Sequence, residues 1–137
     1  MKTERASEIL GWMSLQELEW LAEKSAKYCQ AVEIGSYLGR STRALADNTC
    51  GRVYAIDTWR NADVHPFMRA PKHMLDPDWC WQGFLRNVKD LIPDRLEVRR
   101  RKSLDAALEF AGEDRKFDLI FIDGSHEYED VKHDIQT

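Results

Sequence analysis

The chain has 137 residues and a mass of 16.0 kDa, one domain's worth, with 20 basic against 24 acidic residues and a formal net charge of −4. Leu, Ile, Val and Phe make up 31 residues, about 23%, which excludes a disordered chain, and the charge gives no global basic field to draw nucleic acid. No run of 18 apolar residues occurs, so a membrane helix is not expected, and Met1–Ile9 lacks the apolar stretch of a signal peptide. The three cysteines, Cys29, Cys50 and Cys80, have no CxxC spacing and match neither a zinc pattern nor a disulfide framework. Three buried thiols in a reducing cytoplasm are the simplest expectation.

Ser14-Leu15-Gln16-Glu17 reads as a capping box, with Met13 and Leu18 as a hydrophobic staple, opening a helix over Leu15–Tyr28. A shorter helix is expected near Ala6–Leu10, and Trp12 and Trp20 read as packing residues. Four β-rich runs follow: Ala31–Gly35, Arg52–Asp57, Leu96–Arg99 and Phe117–Asp123. Between and after them lie helical patterns over Ser41–Asn48, Asp78–Ile92, Ser103–Ala111 and Tyr128–Ile135. Asp76-Pro77 suits the start of the second of these, and Pro93 its end. Strands alternating with helices predict an α/β fold with a parallel sheet, behind a helical part of about residues 1–29. Arg60–Leu75 has no clear period and reads as a covering loop. Arg99–Lys102, RRRK, reads first as a solvated strand terminus.

Chemistry concentrates where the strands end. Val32–Thr42, VEIGSYLGRST, runs from a buried strand through Gly35 and Gly39 into a helix, and glycines there let backbone approach a ligand. The dinucleotide fingerprint G-x-G-x-x-G fails, because Tyr37 and Arg40 occupy the second and third glycine positions. Glu33 is a carboxylate in a buried strand and needs a partner, for which a ligand amine is one candidate. Asp57 closes the second strand 22 residues after Gly35, where an acidic residue can accept from a ribose diol or cap a turn. Asp123-Gly124-Ser125-His126-Glu127 follows the most apolar strand, and His126 at that edge suits a general base. His65, His73 and His133 lack such a context and read as surface residues.

VEIGSYLGRST, YAIDTW and FDLIFIDGSHEYEDVKHDI, in that order, resemble the class I S-adenosylmethionine-dependent methyltransferases, and more closely the branch called methyltransferase domain 24. The resemblance implies a Rossmann-like parallel sheet with helices on both faces, here four strands in the order 3-2-1-4. It implies that Glu33 and Gly35 line the methionine part of the cofactor, with Ser36, Tyr37, Gly39 and Ser41 in the same loop. It places Asp57 on the ribose, Thr58 and Trp59 near the adenine, and Lys102 and Ser103 beside the adenine ring. Asp123 would lie at the methyl-transfer centre with His126 as base, acting on the hydroxyl of a small molecule or sugar. In related O-methyltransferases the matching Asp ligates a divalent metal, which makes Asp123 the candidate ligand for Mg.

The family fold has seven strands, and this chain has sequence for four. An alternative reading is therefore a non-catalytic cofactor-binding module or the N-terminal piece of a longer methyltransferase. A nicotinamide-dependent oxidoreductase is weaker for want of the glycine fingerprint. The fourth strand would be an exposed apolar edge, from which a homodimer covering that edge is expected.

Overall fold

The computed structural model describes residues 1–60 and 78–123. Helix α1 (Glu4–Ser7) and helix α2 (Leu15–Ser25) precede strand β1 (Gln30–Ile34). Helix α3 (Arg40–Ala46), strand β2 (Arg52–Asp57), helix α4 (Trp79–Val88) with a 3-10 turn at Lys89–Leu91, strand β3 (Leu96–Arg100), helix α5 (Ser103–Gly112) and strand β4 (Leu119–Ile122) follow. All three strand pairings are parallel and the sheet order is β3-β2-β1-β4, as the motifs implied. The expected helix at Tyr128–Ile135, the covering loop at Arg60–Leu75 beyond its first residue, and the Asp76-Pro77 start lie outside the described residues.

Local chemistry accounts for several boundaries. The Ser14 side chain accepts from Glu17 N–H at 3.1 Å and Glu17 accepts from Ser14 N–H at 2.7 Å, so the capping box closes. Helix α2 ends at Ser25, three residues earlier than the periodicity suggests, and a turn carries the chain into β1.

Strand alternation divides the core in two. Ala31, Val53, Ala55 and Leu96 face Leu18 and Leu21 of α2, Leu45 of α3, and Phe84 and Val88 of α4. Val32, Tyr54 and Ile56 face Ala106 and Phe110 of α5. Arg43 lies inside the first layer, its side chain 4% exposed, and bridges Asp47, Asp90 and the carbonyl of Asn87. This ties α3 to the end of α4. The bonds to Asp90 and Asp47 draw the guanidinium further into its charged form, and Arg43 in turn pulls the Asp90 carboxyl down to about 2.

Two expectations are overturned. Cys29 and Cys50 are exposed and form a disulfide, with Cα atoms 4.8 Å apart; Cys80 is buried and outside that pair. The cause is tertiary. The β1–β2 register pairs Gln30 with Arg52, so the residues leading into both strands meet at the N-terminal edge of the sheet. Gly51 fits between them because a Cβ there would stand 1.9 Å from the Cys29 carbonyl oxygen. The thiol argument for a reducing compartment falls with this pair. Trp12 and Trp20 are not packing residues either: they are 62% and 56% exposed. Trp12 lies in the turn before α2, and Trp20 on the face of α2 turned from the core, with Lys24 over its ring. Among the described residues no helix is long and apolar enough to cross a membrane.

The disulfide closes a loop between residues 21 apart, so it should contribute about 3 kcal/mol by restricting the unfolded chain. Reduction, or Cys50→Ser, is expected to lower the melting temperature by about 10 °C. Thermal unfolding with and without reductant checks this, and an unchanged midpoint would contradict it.

Candidate functional site

The C-terminal ends of β1, β2 and β4 meet around one loop, Gly35–Gly39. Gly35 N–H donates to the Ile56 carbonyl and Asp123 N–H to the Ile34 carbonyl, both at 2.8 Å, so the ladder continues to the lip of the sheet on both sides of β1. The loop itself is organised by Asp57. Its Oδ2 accepts from the N–H groups of Ser36 and Tyr37, each at 3.0 Å, and its Oδ1 accepts from Trp59 N–H at 2.9 Å. Asp57 therefore caps the turn, and these bonds use three of the four lone-pair positions of its carboxylate.

Tyr37 and Trp59 both adopt the left-handed region, at φ 50° and 51°. For bulky L-residues that conformation is unfavourable and persists only where neighbours enforce it. Here Asp57 binds both N–H groups, and the Trp59 indole N–H donates to the Tyr37 carbonyl at 2.8 Å. Asn87 of α4 donates to the Leu38 carbonyl at 2.8 Å. Gly39, at φ 95°, is required twice over, because a Cβ would also come 2.9 Å from Val88 Cγ1. Its role is to let α4 approach rather than to open space for a ligand. The Trp59 ring is fully buried against Trp81 and Phe84, so it serves packing.

Glu33 finds its partners inside the protein. Ser41 Oγ donates to one carboxylate oxygen and Thr42 Oγ1 to the other. The side chain is completely buried, and that burial pushes its pKa up to about 7. The hydroxyls of Ser36, Ser41 and Thr42 oppose the shift, and the negative charge of Asp123 adds to it. Ser36 Oγ lies near enough to favour the carboxylate electrostatically, yet it is buried and makes no hydrogen bond of good geometry.

Thr58 follows β2, and its carbonyl accepts from Arg100 at 3.2 Å. Lys102 and Ser103 open α5 just past β3, with Lys102 exposed at the N-cap. The basic run before them is consumed by internal pairs. Arg99 is buried between Glu97 and Glu113 and lies over the Phe110 ring, Arg100 pairs with Asp78 at 3.0 Å, and Arg101 pairs with Glu109 at 2.6 Å. Asp123 stands at the end of β4, while His126 lies outside the described residues. Among the described residues no three His, Cys, Asp or Glu side chains stand close enough together to hold a metal ion.

Sequence reasoning missed Asn87 and Arg40. Arg40 donates to the carbonyls of Ala6, Ser7, Ile9 and Met13 and so fastens the N-terminal segment to the end of the loop. Neither residue carries a sequence signal, since each acts on backbone far away along the chain.

The family described as Methyltransferase domain matches residues 32–137, and the chain belongs to it, within the methyltransferase domain 24 branch. Among solved structures the chain is similar to cofactor-bound Rv0187 from MTB, at 26% identity and a TM-score of 0.60, over 87% of this chain and 48% of that one. It is similar to an O-methyltransferase from Bacillus cereus in complex with S-adenosylhomocysteine, at 25% identity and a TM-score of 0.56, over 82% and 46%. A methyltransferase of Podospora anserina, PaMTH1, bound to the same compound, shares the fold at 17% identity and a TM-score of 0.61, over 91% and 47%. The chain thus spans about half the length of these solved structures. No curated protein matches it by sequence.

The Glu33 carboxyl gives a test of the site's electrostatics. Its folded pKa is above the ordinary 4.5, so the stability it contributes is complete below about pH 4.5 and is lost as pH rises through about 7. Glu33→Gln keeps the shape and removes the titration. Its stability is expected to fall less than the parent's between about pH 4.5 and pH 8. Denaturant unfolding at about pH 5 and pH 8 measures the difference.

Proposed function

We propose that the chain is the cofactor-binding part of an S-adenosylmethionine-dependent O-methyltransferase acting on a hydroxyl of a small molecule. The observation that carries this reading is the strand-end constellation, in which the Gly35–Gly39 loop, Asp57 and Asp123 stand together at one edge of the sheet in a chain of the methyltransferase family. The likeness to an O-methyltransferase at 25% identity supports the acceptor class.

The cofactor fits the residues present. The open lone pair of Asp57 would take a ribose hydroxyl. Ser36, with Glu33, Gly35, Tyr37, Gly39 and Ser41, would line the methionine part. Thr58, the Trp59 backbone, Lys102 and Ser103 would flank the adenine. When bound, the cofactor supplies a sulfonium-activated methyl group, so the protein need supply no acid on the donor side. The protein's tasks are to hold the acceptor hydroxyl in line and to remove its proton, and His126 is the group assigned to the proton.

The second part of the reading concerns β4. This strand lies at the sheet edge, and Ile120 and Ile122, which share the face of Val32 and Ile34, are 58% and 38% exposed. A second copy of the chain covering that edge and packing on this face would reduce the exposure. Sedimentation at micromolar concentration is expected to give twice the chain mass, and a stable monomer would contradict it.

S-adenosylhomocysteine at about 100 times its dissociation constant is expected to add about 2.7 kcal/mol of stability, a rise on the order of 10 °C. His126→Ala should keep that rise and abolish methyl transfer from labelled S-adenosylmethionine to a panel of hydroxyl compounds. A rise without transfer in the parent chain would favour the binding-module reading, and no rise in a folded sample would sink both.

A further inference from the structure

The edge of the sheet opposite the Gly35–Gly39 loop carries chemistry of its own. Cys29 directly precedes β1, Cys50 stands two residues before β2, and the disulfide that joins them has both residues exposed. The corner around them is tied together without the sulfurs. Thr49, 3% exposed, sits at its centre. Its hydroxyl donates to the Tyr28 carbonyl at 2.7 Å and accepts from Gly51 N–H at 3.2 Å. Its carbonyl accepts from Arg95 at 2.7 Å. Arg52 N–H donates to the Cys29 carbonyl at 2.9 Å, and the buried Ser25 hydroxyl donates to the Leu45 carbonyl at 2.7 Å. These bonds join residues 25–29 to residues 45–52 on both sides of the cysteines. Two features thus coincide: sulfurs on residues open to solvent, and a backbone that keeps them neighbours by other means.

We propose that Cys29 and Cys50 form a reversible thiol–disulfide exchange site, opened by a dithiol and closed by a glutathione-type disulfide, whose redox state sets the stability of the chain while the fold is kept. A thiolate of the dithiol attacks one of the two sulfurs. The Cys29–Cys50 bond breaks, its electron pair leaves on the other sulfur, which takes up a proton, and a mixed disulfide forms. The second thiol of the dithiol then attacks the mixed disulfide and releases the remaining cysteine as a thiol. The dithiol is oxidised to its own disulfide, and the chain has gained two electrons and two protons. Closure by oxidised glutathione runs the other way and yields two molecules of reduced glutathione. With the bond open, the Thr49, Arg52 and Arg95 bonds hold the two thiols side by side, so the same pair re-forms as an intramolecular step. Cys80 is 2% exposed within α4 and stays out of the exchange. A bond between residues 21 apart restricts chiefly the unfolded chain, so the two redox states differ in stability rather than in architecture.

The test uses the full chain without denaturant, with dithiothreitol as the dithiol and oxidised glutathione as the closing reagent. Thiols are mapped by maleimide labelling and mass spectrometry, and the fold is followed by circular dichroism. Dithiothreitol is expected to expose Cys29 and Cys50 to label, with Cys80 unlabelled and the far-ultraviolet spectrum unchanged. The rate should rise in proportion to dithiothreitol, as direct attack on an accessible sulfur requires. Oxidised glutathione should restore the Cys29–Cys50 pair, and the melting temperature should cycle by about 10 °C between the two states. Thr49→Val, which removes the hydroxyl that links Tyr28 to Gly51, should slow closure. Four results would each overturn the proposal. They are a reduction rate that levels off at the rate of global unfolding, loss of helical signal on reduction, closure onto Cys80 or between chains, and a melting temperature indifferent to redox state.

Discussion

The carboxylate of Asp57 is the constraint on which the site depends. It accepts three backbone N–H groups, two from the loop after β1 and one from its own strand's continuation. A charged acceptor in a partly buried place makes these bonds stronger than neutral ones. They hold Tyr37 and Trp59 in conformations that neither residue would choose alone, and Trp59 closes the circuit by donating to the Tyr37 carbonyl. The loop is therefore shaped before any ligand arrives, with one acceptor position left on the same carboxylate.

The rest of the fold secures that circuit from outside. Arg43 ties α3 to the end of α4, and Asn87 of α4 reaches the Leu38 carbonyl. Val88 and Phe84 press on Gly39 so closely that no side chain fits there. Arg40 extends the same logic to the N-terminal segment, which is held on the loop by carbonyl bonds rather than by apolar packing. Glu33 fits this pattern as an internal strut. With Ser41 and Thr42 on its two oxygens, it fastens the start of α3 to β1, at the cost of a raised pKa.

The strand-end motifs were legible because they follow from local rules. Gly35, Asp57 and Asp123 each close an apolar run, and parallel strands must bring such ends to one edge. The sheet order followed from the family resemblance of those motifs. Misreadings arose where the deciding contact was distant. Cys29 and Cys50 are 21 residues apart with no motif between them, and only the β1–β2 register makes them neighbours. Trp12 and Trp20 were assigned to packing by their size, and nothing in the sequence around Trp12 betrays that Arg40 holds it in solvent. The amine suggested for Glu33 was a correct demand for a partner, met instead by two hydroxyls of α3.

By itself the sequence determined the α/β alternation, the capping box of α2, the glycine loop and the acidic residues that close the strands, since each depends on propensity, period or spacing within a few residues. Only the tertiary structure decided the disulfide, the pairing of Arg99, Arg100 and Arg101 with carboxylates, the burial of the Trp59 ring and the exposure of Trp12. Those outcomes depend on which strands lie side by side and which helix covers them, and side chains far apart in sequence meet only when the whole sheet has formed.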